Sequence, residues 1–371
     1  MTDREREILQ IIQKDPCISQ EAMSTILGIT RSSVAVHISN LTKKGFIKGR
    51  GYIVDEAPYC VVIGGSNMDI IGTPLGPIIE KDSNIGKVLT RSGGVGRNIC
   101  TNLSRLGVSV HFISAVGNDA FGRRILEELS RLGIERSGIS VQDAYPTSTY
   151  LCINDHNGDM ALAISHMDIA STINVAYLTE LEQKIEGASS LVVDTNLSSE
   201  ALDYLLHKYH HKAIFIDPVS TKKAIKLKGL LPYITFIKPN LIEAECLVDV
   251  VRASDQDDIA YAKTLAKALV KAGVKEVAIT LGEHGVVYAD GKETTWYANY
   301  PVPVVNTTGA GDAFFSGYVS RALKKEDCDA KICFALGCAA YQVSKEDASV
   351  AMNETVIYNL MTSSCLFHGS L

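Results

Sequence analysis

The chain has 371 residues, 46% of them hydrophobic and 21% charged, with a net charge of −6. That balance specifies a globular protein, long enough for a large core and more than one domain, and excludes a disordered or fibrous chain. No run of about 18 apolar residues occurs, and Met1 to Glu7 is too charged for a secretory leader, so no membrane partner and a cytoplasmic location are expected. The charge is uneven: residues 1–54 carry eight Lys/Arg against five acids, a net of +3, which leaves the remainder at −9. A basic head on an acidic body suggests two domains with different partners.

In chain order, residues 3–14 place Ile8, Leu9, Ile11 and Ile12 on one helical face. Ser19 reads as the N-cap of a second helix carrying Ala22, Met23, Ile26 and Leu27. Gly28-Ile29-Thr30 is a tight turn, and a third helix is expected from about Arg31 to Lys44, with Val34, Val36, Ile38 and Leu41 turned partly inward. Residues 45–54 read as a short basic β-hairpin. This order resembles a winged helix-turn-helix of the transcription-regulator type, an α+β domain over residues 1–56. The resemblance implies DNA as a partner, with Arg31, Ser32, Ser33, His37 and Asn40 facing the groove and Lys43, Lys44, Lys48 and Arg50 touching phosphates. A small helical domain serving assembly is the other reading of the same residues.

Pro58 reads as a linker. Tyr59 to Gly65 is a continuous apolar run ending in glycines, as expected of a buried strand in a parallel sheet. Val110–Val116, Ser190–Asp194, Ala213–Asp217, Ile234–Lys238 and Glu276–Leu281 repeat the signal. Helices are expected between them at 99–107, 123–132, 201–210 and 259–272. This alternation over residues 59–364 predicts a three-layer α/β sandwich with a mainly parallel sheet and a ligand cleft past the C-terminal strand ends. Asn67, Asp69, Asn196, Asp217, Asn240 and Gly282 fall there. Two β-like segments, about 67–95 and 143–168, break the alternation. With Asn157-Gly158 as a hairpin turn, they read as a small sheet covering the cleft or packing a dimer. The apolar helix from Lys331 to Val343 carries small residues suited to core packing or to a flat ring. The nine cysteines include no CxxC pair and read as reduced, mostly buried thiols, and His207, His210 and His211 are placed on a solvated helix.

Two glycine-rich stretches carry the chemistry. Ser92-Gly93-Gly94-Val95-Gly96-Arg97-Asn98 precedes a helix, and with Asn67 and Asp69 it offers donors and acceptors suited to sugar hydroxyls. Asn306-Thr307-Thr308-Gly309-Ala310-Gly311-Asp312 lies between an expected β-run (301–305) and a helix. Its glycines admit a tight turn, the first amides of the helix favour an anion, and Asp312 can take a proton from an alcohol beside them. A plain strand-to-helix turn with a capping Asp fits these residues equally.

Together, Gly93-Gly94 to Gly107 and Thr308 to Asp312, about 200 residues apart, resemble the two signatures of the ribokinase-like, or PfkB, family of carbohydrate and nucleoside kinases. The resemblance covers about residues 59–350. It implies ATP and Mg²⁺ as cofactors, Asp312 as the catalytic base and Gly309, Ala310 and Gly311 as the anion hole. It places the acceptor at Asn67, Asp69, Gly94 and Asn98, and ATP beside Asn240, Thr280, Gly282 and Gly285. Glu243, of the Asn-x-x-Glu motif, would meet Mg²⁺ through water. The β segments correspond to the family's lid, and a homodimer is expected. Many members carry Asp where this chain has Asn306, so a monovalent-cation site is doubtful here. The Asn67-x-Asp69 pair, the Gly93–Ile99 run and the segment Ala163 to Asp168 resemble the nucleoside-kinase branch, which implies transfer to a ribose 5′-hydroxyl, pseudouridine first. Inosine, another nucleoside, ribose or a phosphosugar are alternatives, as is a regulator that uses the kinase fold only as a sensor.

Overall fold

Thr2, Ser19 and Thr30 each accept a hydrogen bond from the backbone N–H three residues on, and each starts a helix: α1 (Asp3–Lys14), α2 (Gln20–Leu27) and α3 (Arg31–Lys43). Gly28, at φ +63°, ends α2 in the left-handed conformation that glycine adopts without steric cost. Ile8, Ile12, Met23, Val34 and Leu41 are fully buried where the three helices meet. Val36 was expected to turn inward and is instead 59% exposed. It stands two residues from both Val34 and Ile38, which puts it on the opposite side of a 3.6-residue turn. The computed structural model describes residues 1–47, 58–157, 159–254, 256–345 and 352–365. The expected hairpin, with Lys48 and Arg50, therefore lies outside the described residues from position 48 on. Chain contacts divide the protein into two compact units, Met1–Pro58 and Tyr59–Leu371.

The second unit alternates strands and helices. Its strands are β1 (Cys60–Ile63), β2 (Asn67–Pro74), β3 (Gly86–Gly93), β4 (Val110–Gly117), β5 (Glu135–Gln142), β6 (Thr149–Asn154), β7 (Met160–His166), β8 (Ser190–Asp194), β9 (Ala213–Asp217), β10 (Phe236–Ile237), β11 (Glu276–Thr280), β12 (Val286–Ala289) and β13 (Thr294–Tyr297). Between and after them run α4 (Val95–Arg105), α5 (Ala120–Arg131), α6 (Val175–Glu180), α7 (Glu182–Glu186), α8 (Ser199–Lys208), α9 (Thr221–Ala224), α10 (Leu241–Leu247), α11 (Asp258–Lys271), α12 (Ala310–Leu323), α13 (Cys328–Val343) and α14 (Glu354–Cys365).

Nine strands form the main sheet in the order β13-β12-β11-β10-β9-β8-β1-β4-β5. It is parallel from β11 to β5 and antiparallel at β12 and β13. Alternate side chains feed two cores. Val61, Ile63, Val193 and Ile216 pack with Leu202 and Leu205 of α8 and Leu265 of α11. Cys60, Val62, Val192 and Phe215 pack with Ile99 and Leu103 of α4 and with Phe314, Phe315 and Tyr318 of α12. This is the expected three-layer α/β sandwich, with both sheet faces buried as βαβ crossovers require. A Cβ on Gly317 would come within 2.9 Å of the Ala335 Cα, so the small residues of α13 serve close packing against α12.

Four strands form the second, smaller sheet in the order β3-β2-β6-β7. Its turn at Asn157 joins β6 to β7 as an antiparallel pair, and β2 lies parallel to β6. The β-run expected over 301–305 is not a strand. Pro301 and Pro303 lack N–H donors, and the Val305 and Asn306 amides donate to the Val343 carbonyl at the end of α13 (2.8 and 3.1 Å). Cys60, Cys100, Cys152 and Cys338 are buried, whereas Cys17 is exposed and Cys246, Cys328 and Cys333 are half-buried. α8 ends at Lys208, so His210 and His211 lie beyond the helix on which they were expected. No described residues form a group of His, Cys, Asp and Glu able to hold a metal, and no described helix is long and apolar enough to cross a membrane.

Candidate active site

The C-terminal edge of the main sheet ends in charge. Asp194 and Asp217 are register partners on the last rung of β8 and β9. The next strand delivers Lys238 beside them, with its Nζ 3.2 Å from the Asp217 Oδ2. One step further, Asn240 and Thr280 bridge β10 to β11. Val219, just past β9, sits at φ +63°, an uncommon conformation for a β-branched residue, and its N–H donates to the Asp217 Oδ1 at 2.8 Å. The fold thus spends backbone strain to orient this carboxylate.

Asp194 is buried and accepts from two glycine amides with the same oxygen, Gly65 N at 2.9 Å and Gly96 N at 2.8 Å. It therefore fills the N-terminal end of α4 with a protein carboxylate. The glycines around it are required by space. A Cβ on Gly64 would meet the Asp194 Oδ2 at 2.4 Å, and one on Gly94, at φ +97°, would meet the Gly65 carbonyl at 2.6 Å. A Cβ on Gly93 would strike the Asp69 carboxylate at 2.5 Å.

Asp312, on the first turn of α12, is half-buried and accepts from the Asn98 Nδ2 at 2.8 Å. The two glycine-rich stretches, expected from sequence to cooperate, meet at that bond. Asn67 donates from Nδ2 to the Asp69 Oδ1 at 2.6 Å, and the Arg91 Nε lies 3.6 Å from the Asp69 Oδ2. Gly309 caps α12 at φ +77°, and the Ala310 N–H is used locally on the Thr307 carbonyl. Helix geometry leaves the Gly311 and Asp312 amides without a partner one turn back. A Cβ on Gly311 would lie 3.0 Å from the Lys238 Nζ, so that ammonium sits under the loop. Asn306 accepts from the Thr308 N–H at 2.9 Å and shapes the approach.

Burial, reinforced by the Asp217 and Asp194 charges and opposed by Asn98 and Lys238, pushes the Asp312 carboxyl up to about 7. Burial also raises Asp69, against the pull of Asn67 and Arg91. For Lys238 burial disfavours the charge, yet the Asp217, Asp312 and Glu243 carboxylates hold its pKa above the ordinary lysine value. Asn240 and Glu243 form a capping box on α10, with each side chain bonding the other's backbone N–H at 2.8 and 2.9 Å. Burial raises the Glu243 carboxyl. Gly282 and Gly285 bound a one-turn loop after β11. At Gly285, φ +86°, a Cβ would lie 2.1 Å from the Tyr297 carbonyl. The Trp296 indole donates to the His284 carbonyl at 2.7 Å and pins the same loop.

In the N-terminal unit, Arg31, Ser32 and Lys43 are exposed on α3 and His37 is half-buried. Lys44 is committed elsewhere: its ammonium bonds both oxygens of buried Glu5, at 2.8 and 2.7 Å. Sequence reasoning missed Asp194 and Lys238. An acid closing an otherwise apolar strand, Leu191-Val192-Val193-Asp194, was a readable signal; Lys238 was visible only as the residue before Pro239.

Residues 57–355 match the family model described as pfkB family carbohydrate kinase, and residues 1–48 match one described as winged helix-turn-helix DNA-binding. An uncharacterized sugar kinase, YeiI, of Escherichia coli strain K12 is 36% identical over 92% of this chain and 93% of its own. The pseudouridine kinase of the same organism is 34% identical over 82% of this chain and 98% of its own. Among solved structures, a carbohydrate kinase from Agrobacterium tumefaciens superimposes with a TM-score of 0.71 at 25% identity, covering 82% of this chain and 97% of that one.

Proposed function

Because the chain belongs to the pfkB family of carbohydrate kinases, and is an ATP-dependent carbohydrate or nucleoside kinase, we propose that its acceptor is the ribose 5′-hydroxyl of a nucleoside, pseudouridine first. The observation that carries this reading is the 2.8 Å bond from Asn98 to Asp312, which joins a sugar-type polar cluster to a carboxylate on an open helix N-terminus. The 34% identity to a pseudouridine kinase over most of both chains supports the choice of nucleoside.

In this mechanism Asn67, Asp69, Gly94 and Asn98 hold the ribose. Asp312 takes the 5′-hydroxyl proton as the oxygen forms its bond to the γ-phosphorus, and the bond from that phosphorus to the bridging oxygen of ADP breaks. In the Gly309-Ala310-Gly311 loop, the open Gly311 and Asp312 amides stabilise the phosphoryl oxygens in transit, and Lys238 adds positive charge beneath them. ATP lies along Asn240, Thr280, Gly282 and Gly285. Pfkb-family kinases use ATP with Mg²⁺, and the site here fits a metal carried by the nucleotide: it offers hard oxygens at Asn240 and Glu243 and no converging acid triad among the described residues. Glu243 would order water on that ion, which supplies charge neutralisation at the phosphates. Asn306 withholds the negative charge that a monovalent cation would need beside the loop.

The smaller sheet acts as the lid that excludes water. Val88, Leu162 and Ile164, on one face of that sheet by register, are 73, 59 and 56% exposed, an apolar surface that a homodimer would cover. The N-terminal unit binds DNA through Arg31, Ser32, His37 and Lys43, while Lys44 serves the fold through Glu5.

An ADP-release assay with pseudouridine, uridine, inosine, adenosine, ribose and fructose 6-phosphate tests the acceptor. Highest kcat/KM is expected for pseudouridine, and preference for ribose or fructose 6-phosphate would overturn the nucleoside reading. For the N-terminal unit, duplex binding by the full chain should fall steeply with salt and weaken in Lys43→Ala. Absent or salt-insensitive binding would assign the unit to assembly instead.

A further inference from the structure

A groove of about 500 Å³ runs away from Asn98 and Thr308 between β3, α4 and α5. Its charge is unlike the rest of the protein. Arg91, Arg97, Arg105, Arg124 and Arg131 line it with two carboxylates, Asp69 and Glu128; with Glu127, 3.7 Å from Arg131, included, the local net is +2 on a chain of −6. The helical period produces this. Arg97, Thr101 and Arg105 stand at i, i+4 and i+8 on α4, while Arg124, Glu128 and Arg131 stand at i, i+4 and i+7 on α5, so two basic stripes face one another. Glu128 is shared, lying 3.6 Å from the Arg97 guanidinium and 3.1 Å from that of Arg124. One carboxylate between two guanidinium groups leaves positive charge uncompensated. Arg97 is held rigidly: its side chain is 11% exposed and donates to the Ser92 carbonyl at 2.7 Å. Burial lowers its pKa, against the pull of Glu128 and with a smaller push from Arg105. Leu89, Leu129 and Leu132 add apolar wall. A smaller cleft shares Arg97 and Arg105 and reaches Gly309.

We propose that this groove binds a small phosphomonoester, with its phosphate on the facing arginines and its organic part on the leucines. The volume suits a small ligand rather than a macromolecule, and planar guanidinium forks match phosphate oxygens in pairs. Because Asp69 and Asn98 line both the groove and the acceptor site, a groove ligand competes with the acceptor. The proposal goes beyond the acceptor reading and does not require pseudouridine to be the substrate.

Calorimetric titration of the full-length protein with ribose 5-phosphate and, separately, uridine 5′-monophosphate tests it and distinguishes a sugar phosphate from a nucleotide as the source. Saturable binding of at least one is expected, weakened about ten-fold or more in the Arg105→Ala/Arg124→Ala double variant and only partly restored when both are Lys, which returns the charge without the fork. Binding of unphosphorylated ribose or uridine should not respond to those changes. No binding of either phosphomonoester, or equal affinity in the double variant, overturns the proposal. The readout is binding without ATP, so it fails or succeeds independently of the acceptor screen.

Discussion

Two helices of the kinase unit start on glycine-rich turns, and they treat the positive end of the helix in opposite ways. At α4 the end is closed. The Gly96 amide donates to Asp194 at 2.8 Å, the Arg97 amide to the Gly65 carbonyl at 3.1 Å, and the glycines are small because Gly64, Gly65 and Asp194 leave no room for a Cβ. At α12 the end is open. Gly309 turns the chain at φ +77°, the Gly311 and Asp312 amides have no partner one turn back, and Gly311 faces a lysine ammonium. The same residue type thus serves packing in one place and leaves two helix amides open in the other. A glycine-rich helix start becomes an anion site only when the fold does not supply the anion itself.

The largest effect separating the two ends should come from Asp312→Asn. Turnover is expected to fall by about 10² to 10⁴ with no loss of melting temperature, because Asn keeps the bond from Asn98. Near-normal turnover would remove Asp312 as base. Next comes Asp194→Ala, which leaves two buried glycine amides without an acceptor and should cost about 2–5 kcal/mol in chemical denaturation. Stability within about 0.5 kcal/mol of wild type would show that α4 does not depend on its internal anion.

The smallest effect is one of pH. The Asp312 carboxyl, raised to about 7 by burial and neighbouring acids, keeps a proton in the folded protein that the unfolded chain releases near pH 4. The residue therefore costs stability fully above pH 7 and not at all below about 4. Asp312→Asn should melt a few degrees higher than wild type at pH 8 and equally at pH 4. In the active protein, kcat/KM should drop as pH falls through about 7, as the base of the free enzyme becomes protonated. A profile flat from pH 5.5 to 8 would contradict the raised value.

Much of this could be read directly. The runs Ser190–Asp194 and Ala213–Asp217 are strands over those residues, because a strand buried on both faces needs an unbroken apolar segment. Asn98 and Asp312 were legible as separate site candidates because the two glycine-rich stretches that carry them resemble the two signatures of one family. The misses have local causes. Val36 is apolar but lies off the buried stripe, and Pro301 to Val305 looked β-rich while its prolines removed the donors a ladder needs. Trp296, without a place in the sequence reading, proves to anchor the loop at Gly282 through its indole N–H.

By itself the amino-acid order determined the helix caps, the strand runs, the basic head and the two glycine-rich turns, since these depend on neighbours within a few positions. Only tertiary structure decided which turn is filled and which is open, because the anion that closes α4 comes from β8, about 100 residues later. It also decided that Lys44 pairs with Glu5, that Lys238 lies under Gly311, and that the arginines of α4 and α5 face one groove. Charge at a site is a sum over elements distant in sequence, and no local pattern encodes it.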